Sequence, residues 1–230
     1  WIGGAFMPRS DLPTRAHVLQ EHRQLFINAA LCHNLKAVEE TGRQALHGDP
    51  MELALAEIGR EIAGDLAAFS RIDEIPFDTD RKRMSVLAET PHGRMLYCKG
   101  ALESVLTSCR FIHLAAGLAP LDPAARTRLL AAQDEMAGAG LRVLAFAHRA
   151  VAEAGSPGDE QDMILAGLIG LEDPPRAEAP DAIARCHAAG PRTTPLVSDG
   201  RVYTLGTMGH LACRNATDGR LEWSRDFVKE

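Results

Sequence analysis

Two short runs with strand-like alternation, separated by a tight turn, constrain the fold most strongly. Met84–Glu89 and Arg94–Cys98 flank the turn residues Pro91-His92-Gly93, an arrangement that predicts an antiparallel hairpin. A third run, Ser70–Pro76, precedes them with similar composition. We therefore expect a mostly antiparallel sheet in the first part of the chain.

Helices and further strands surround this hairpin. The clearest helix starts at Asp49, which can cap it, with Pro50 in the first helical position and Glu52 three residues after the cap. Apolar spacing and stop signals predict the others. The remaining predicted elements are helices over about Thr14–Val38, Ala101–Ser108, Pro123 to about Ala137 and Ala179–Ala189, and strands over Arg142–Arg149 and Met163–Leu171.

The last forty residues have a different pattern. Pro195–Val197, Arg201–Leu205 and Arg220–Trp223 alternate like strands and are separated by two-residue turns such as Asp199-Gly200. The predicted fold class is therefore α+β, a mostly antiparallel sheet with helices packed on it, followed by a short all-β C-terminal tail.

Composition excludes several classes of function. The chain has 230 residues and a net charge of −6, which disfavours broad nucleic-acid binding. Its sequence contains no run of 18 apolar residues, so we expect a chain that is soluble as given and makes no direct membrane contact. Nine histidines show no ligand spacing, and no metal site is predicted.

Several segments, taken in order, resemble the signature segments of the nucleotide-binding domain of P-type cation-transporting ATPases, in particular the calcium-pump-like subgroup. They lie at 48–55, 77–85, 99–103, 140–145 and 173–176, and read G-D-P-M-E-L-A-L, F-D-T-D-R-K-R-M-S, K-G-A-L-E, G-L-R-V-L-A and D-P-P-R. The resemblance implies an ATP site anchored on adenine, and the sequence contains no Walker A segment that would cradle phosphates.

The resemblance also implies a role for each site residue. Phe77 would stack on adenine, Glu52 would contact the edge of the base, and Lys99 would lie at the nucleotide in the pocket floor. Lys82 and Arg142 would face the phosphates. Two further residues of the matching segments, Met84 and Gly100, and Arg176 near nucleotide phosphate at the hinge, complete the predicted cofactor-binding set.

Most of these side chains have a structural alternative. Glu52 stands at the N3 position of a capping box, and Phe77 beside a proline could cap the core. Lys99 could be a solvated residue at a strand end, and Arg142 an edge charge. The segments that surround these residues favour the nucleotide-binding interpretation.

Three departures from the family pattern affect the expected activity. Leu102 replaces a proline, and Thr79 stands where some calcium pumps carry an arginine, which Arg81 or Arg83 could replace. The phosphorylation segment D-K-T-G-T and the magnesium-binding segments are absent from the sequence. We therefore expect no catalytic residues, no aspartyl phosphate and no ATP hydrolysis by this chain alone.

The resemblance divides the chain into three parts. Residues 1–178 form the nucleotide-binding domain with its hinge, and 179–190 begin a truncated phosphorylation domain. Residues 191–230 resemble one repeat of a quinoprotein-like β-propeller. The implied function is the ATP-binding cytoplasmic domain of a cation pump, which presents ATP (Mg-ATP in the full-length parent) to phosphorylation and membrane domains outside this chain.

Two other functions are open at this level. In the first, the chain is a non-catalytic binding or scaffold module whose working part is the propeller-like tail. In the second, it is a phosphatase of the haloacid-dehalogenase class, because Asp78-Thr79-Asp80 matches the Asp-x-Asp nucleophile string. That string follows a proline in a charged turn rather than an apolar strand, which disfavours the phosphatase.

Overall fold

The computed structural model describes residues 1–14, 16–40, 43–152, 155–172, 196–205 and 210–226. The chain divides into two compact units, Trp1–Asp173 and Pro174–Glu230. The helices are a 3-10 turn at Arg9–Thr14, α1 (Ala16–Glu21), α2 (Arg23–Leu31), α3 (Pro50–Ala63), α4 (Leu102–Ser108) and α5 (Pro123–Gly138). The strands of the first unit are β1 (Lys36–Glu40), β2 (Arg43–His47), β3 (Ser70–Asp78), β4 (Arg83–Thr90), β5 (Gly93–Gly100), β6 (Cys109–Leu114), β7 (Gly117–Pro120), β8 (Arg142–Ala150) and β9 (Met163–Leu171).

A seven-stranded sheet organises the first unit. Its order is β3-β4-β5-β8-β9-β6-β7, and every neighbouring pair is antiparallel except β6 with β9. The predicted α+β class is confirmed. The hairpin predicted around Pro91-His92-Gly93 is β4 and β5, in which Thr90 pairs with Gly93 and Met84 with Lys99.

Alternating side chains give the sheet two buried faces. On β8, Phe146 packs with α2 and α3, whereas its neighbours Ala145 and Ala147 pack with α4 and α5. Because successive side chains point to opposite faces of a strand, each strand contributes to two apolar clusters, one on each side of the sheet. The cluster with α2 and α3 also contains Met84 and Tyr97, and it is the one that supports the candidate site.

The prediction of a single helix over Thr14–Val38 is wrong in two respects, its continuity and its C-terminal end. The helix breaks at His22, α2 ends at Leu31, and Lys36–Glu40 is a strand. The apolar spacing was sound, because Leu25 and Ala29 are fully buried. This strand was not predicted because β1 pairs with β2 in a hairpin whose described side chains are exposed or only half-buried, so they form no buried face that would impose alternation.

The remaining predicted elements can be placed on the same structure. The helix from Pro50 and the strand Met163–Leu171 are confirmed, the latter to the residue. Strands β6 and β7 were not predicted from the sequence. The predicted helix Ala179–Ala189 and the hinge 173–176 lie outside the described residues.

The second unit is a four-stranded antiparallel sheet. Its strands, in sheet order, are β10 (Leu196–Ser198), β11 (Arg201–Leu205), β12 (His210–Asn215) and β13 (Leu221–Asp226). Asp199 and Gly200 both have positive φ, 52° and 72°, which is the backbone of the predicted two-residue hairpin turn. The Tyr203 and Trp223 rings lie 6.1 Å apart on one face, and β12 is a strand that the sequence analysis did not predict.

Among the described residues, no helix has the length and apolar character needed to cross a membrane.

Two buried histidines make the fold sensitive to acid. His22 is 1% and His148 7% exposed, and neither ring has a hydrogen-bond partner among the described residues. Burial, together with the neighbouring His113 ring, lowers the pKa of each from 6.5 to about 4. Because the folded pKa lies below the unfolded value, stability is complete above pH 6.5 and is lost as the pH falls towards 4.

We therefore expect the free energy of unfolding to fall by about 2 kcal/mol between pH 7 and pH 5 from His148 alone. Urea unfolding at a series of pH values measures this slope. The His148→Leu variant should have a visibly flatter pH dependence than the wild-type chain. Identical slopes in the two proteins would contradict the assignment.

Candidate functional site

The start of α3 directs Glu52 towards the sheet. The Asp49 carboxylate accepts hydrogen bonds from the backbone N–H of Met51 at 2.9 Å and of Glu52 at 3.3 Å, and Pro50 occupies the first turn. The capping by Asp49 is as predicted. The role of Glu52 is not limited to the first turn of α3, because its carboxylate also accepts hydrogen bonds from Lys99 of β5.

Lys99 is a buried cation with one carboxylate partner in contact. The residue is 3% exposed on β5, and its Nζ donates to both Glu52 oxygens at 2.7 Å. The Glu52 side chain is 24% exposed, so the pair has one buried and one partly open end. The structure therefore excludes the structural alternative for Lys99, which was a solvated lysine at a strand end.

The sheet register places further predicted residues around this pair. Met84 on β4 pairs with Lys99, which pairs with Phe146 on β8, so the three side chains share the face covered by α2 and α3. Met84 is 1% exposed and forms part of the floor of the candidate site. Phe77, next to the bulge in β3, is 52% exposed on the edge strand. At the usual strand spacing its backbone lies about 10 Å from that of β5.

Phe77 therefore does not cap the core, which was its structural alternative. A phenylalanine with half its surface in water gives up apolar burial. Its exposed ring is available to a planar ligand.

Lys82 and Gly100 belong to one close contact. Lys82 has a left-handed backbone with φ 52°, and its carbonyl accepts from the Ala101 N–H at 2.9 Å. A Cβ on Gly100 would lie 2.4 Å from that carbonyl oxygen and 2.5 Å from the Arg83 Cβ. Gly100 thus lets β5 pass close behind the turn, while the Lys82 side chain stays 59% exposed, with Nζ 3.5 Å from Glu103.

Of the two predicted arginines, the structure describes Arg142, which lies apart from this cluster. Arg142, at the start of β8, is exposed, and alternation puts it on the same face as Phe146. Arg142 and Phe146 are four positions apart along the strand, which is about 13 Å. Arg176 lies outside the described residues. The structure therefore brings together Glu52 and Lys99 over Met84, and leaves Arg142 farther along the face.

The suggestion that Arg81 or Arg83 could replace an arginine at Thr79 is not supported by the contacts of these residues. Arg83 alternates to the face opposite Met84, and both guanidinium groups donate to Glu160. Asp78 also has a local role, because its carboxylate accepts the N–H groups of Asp80 at 3.0 Å and Arg81 at 2.7 Å. A carboxylate that caps a turn in this way favours the ATPase resemblance over the phosphatase alternative.

Sequence reasoning missed two residues that organise the site. Asn28 on α2 is fully buried, and its Nδ2 donates to the carbonyls of Cys98 at 3.0 Å and Ala147 at 2.9 Å. It therefore joins the strand of Lys99 to β8 beside the pair. A lone asparagine on an apolar helical stripe was the available signal. Glu160, in the loop between β8 and β9, carried no sequence signal.

Comparison with known proteins identifies the family. A family model described as "P-type ATPase, cytoplasmic domain N" matches residues 21–178, more than half of the chain. This chain belongs to the P-type ATPases. The matched residues contain every predicted site residue, whereas the tail from 191 onwards lies beyond the match.

Individual relatives carry the names of several cation pumps. Calcium-transporting ATPase 1 of Bacillus cereus is 33% identical over 183 residues, covering 77% of this chain and 20% of the relative. A sodium/potassium exporting P-type ATPase of Schizosaccharomyces pombe is 35% identical over 190 residues, covering 76% and 18%. A magnesium-transporting P-type ATPase of Escherichia coli is 36% identical over 147 residues, covering 62% and 16%. The chain thus spans about a fifth of the length of these relatives.

Proposed function

We propose that this chain binds ATP, and ADP in competition, at a site formed by Phe77, Met84 and Lys99. The observation that carries the proposal is the buried Lys99–Glu52 ion pair in the same sheet as the exposed Phe77 ring, two strands away. A ring that can stack and a cation held at a fixed place suit a ligand with a planar base and anionic groups. Family membership supports the same conclusion.

Each residue then has a role that its surroundings allow. Phe77 stacks on adenine, Glu52 accepts a hydrogen bond from the amino edge of the base, and Lys99 holds Glu52 in place from the pocket floor. Lys82 supplies positive charge to the phosphates from its exposed turn. Arg142 and Arg176 contribute at the phosphate end, and Gly100 serves by letting the Lys82 turn approach β5.

In a whole P-type ATPase, we propose that the chain lies on the cytoplasmic side and presents Mg-ATP to a phosphorylation domain. The energy of that step would drive cation transport through a membrane domain. Relatives named for calcium, sodium/potassium and magnesium support a cation as the cargo. The chain alone is proposed to bind nucleotide without hydrolysing it.

Replacing Phe77 by alanine tests the site. Base–aromatic stacking contributes about 1–3 kcal/mol, so ATP affinity should fall by about tenfold or more. Ile72→Ala is a matched control, because Ile72 is an apolar residue of the same edge strand and is 45% exposed. Calorimetric titration with ATP should give wild-type affinity for the control. Equal affinities in all three proteins would exclude Phe77 from the site.

The tail supports a second candidate function, that of a binding module. Leu196 is 66% and Trp223 42% exposed, and the strand pairing puts both on one face of the sheet, an exposed apolar surface that suits a partner. The likeness of the tail to a propeller repeat stays a prediction, because a four-stranded antiparallel sheet occurs in many all-β folds. Under this function Trp223→Ala would abolish partner capture and leave ATP binding unchanged.

A further inference from the structure

Glu160 is a buried carboxylate on the side of the sheet opposite Lys99. Its side chain is 7% exposed, in the loop between β8 and β9. It accepts hydrogen bonds from Arg81, from Arg83 Nε at 2.8 Å and from the Ser85 hydroxyl. Burial opposes ionisation, but the bonds from Ser85, Arg81 and Arg83 outweigh it and hold the pKa of Glu160 below its usual value.

All three donors belong to the turn between β3 and β4 or to the strand that follows it. Arg83 also donates to the Ser104 carbonyl at 3.3 Å and to its hydroxyl at 3.0 Å, and that hydroxyl donates to the Arg81 carbonyl. Glu160 and the start of α4 therefore hold both residues that flank Lys82.

Lys82 depends on this support because its own backbone is unfavourable. A non-glycine residue at φ 52° is uncommon, and such conformations persist where the surroundings fix them. The Arg81 and Arg83 side chains are 28% and 19% exposed, whereas that of Lys82 is 59% exposed. The network thus directs two cations away from the site and leaves the third in solvent.

We propose that Glu160 is a positioning residue for nucleotide binding: by anchoring Arg81 and Arg83 behind the sheet, it fixes the turn that presents Lys82 to the phosphates. This inference rests on the proposed ATP site. It concerns the phosphate end of the ligand and leaves the stacking of adenine on Phe77 unaffected. Glu160 acts through Lys82 and does not touch the nucleotide.

The Glu160→Gln variant tests the proposal, because glutamine keeps the shape and an acceptor oxygen but loses the charge that holds two guanidinium groups. ATP affinity should fall by about tenfold, since a misplaced charge loses most of its effect, while adenosine affinity should stay unchanged. The matched control is Glu89→Gln, which removes a more exposed ion pair with Arg94 at the other end of β4.

A double-mutant cycle separates positioning from a general loss of structure. In a Lys82→Ala background, Glu160→Gln should have no further effect on ATP affinity, because the residue through which it acts is gone. Ser104→Ala, which removes the hydroxyl that joins Arg81 to Arg83, should reproduce a smaller ATP-specific loss if Glu160→Gln does not fold.

The outcomes are distinguishable. Unchanged or stronger ATP binding by Glu160→Gln, or an equal loss for ATP and adenosine, would overturn the inference while the ATP site stands. Failure of the wild-type chain to bind either ligand would instead remove the proposed function on which the inference depends.

Discussion

Lys99→Met is expected to leave the stability of the first unit within about 1 kcal/mol of wild type and to reduce ATP affinity by about tenfold or more. Methionine fills the same buried volume, and the Glu52 carboxylate that loses its partner is 24% exposed and can be hydrated. The lost interaction is the charged hydrogen bond that holds Glu52. Calorimetric titration with ATP, beside urea unfolding, measures both quantities on the same variant.

Replacement of Glu52, the other member of the ion pair, should have a larger effect on stability than replacement of Lys99. Glu52→Ala leaves the Lys99 ammonium buried without its carboxylate, a change that costs about 3 kcal/mol. Together with Lys99→Met, the double variant should recover most of that stability and still bind ATP weakly. A Glu52→Ala protein as stable as wild type would mean that the ion pair is not formed in solution.

Gly59→Ala is expected to destabilise the first unit by about 3 kcal/mol or more. A Cβ at Gly59 would lie 2.6 Å from the Phe26 carbonyl oxygen and 2.6 Å from the Ala30 nitrogen. Both atoms are α2 backbone, which cannot move aside as a flexible side chain would. Helix α3, which carries Glu52, must therefore separate from α2.

Gly138→Ala is the matched control for this prediction. It replaces a glycine at the end of α5, where an added Cβ meets no described atom within 4 Å, and helix propensity should make it neutral or slightly stabilising. Urea unfolding followed by circular dichroism compares the two. Equal midpoints for both variants would show that the helices do not cross so closely at Gly59.

Local sequence signals predicted the parts of the fold that local physics decides. Asp49 and Pro50 mark the start of α3 because capping involves only neighbouring residues. The buried strand Met163–Leu171 was readable because its bounds are set by turn residues. The hairpin of β1 and β2 was not readable, since its described side chains form no buried face that would impose a pattern.

The candidate site shows the same difference between features set by neighbouring residues and features set by long-range packing. The motif segments located Phe77 and Lys99, but the Lys99–Glu52 bond joins residues 47 apart and depends on how α3 packs over the sheet. The opposite directions of Met84 and Arg83 needed the register of β4. Glu160 could not be predicted, because its role arises only when the β8–β9 loop folds back on the far face.

Titration of the purified 230-residue chain with ATP, followed by calorimetry, tests the central claim most directly. The account predicts saturable binding in the micromolar to millimolar range. A folded chain that releases no binding heat at millimolar ATP would contradict it.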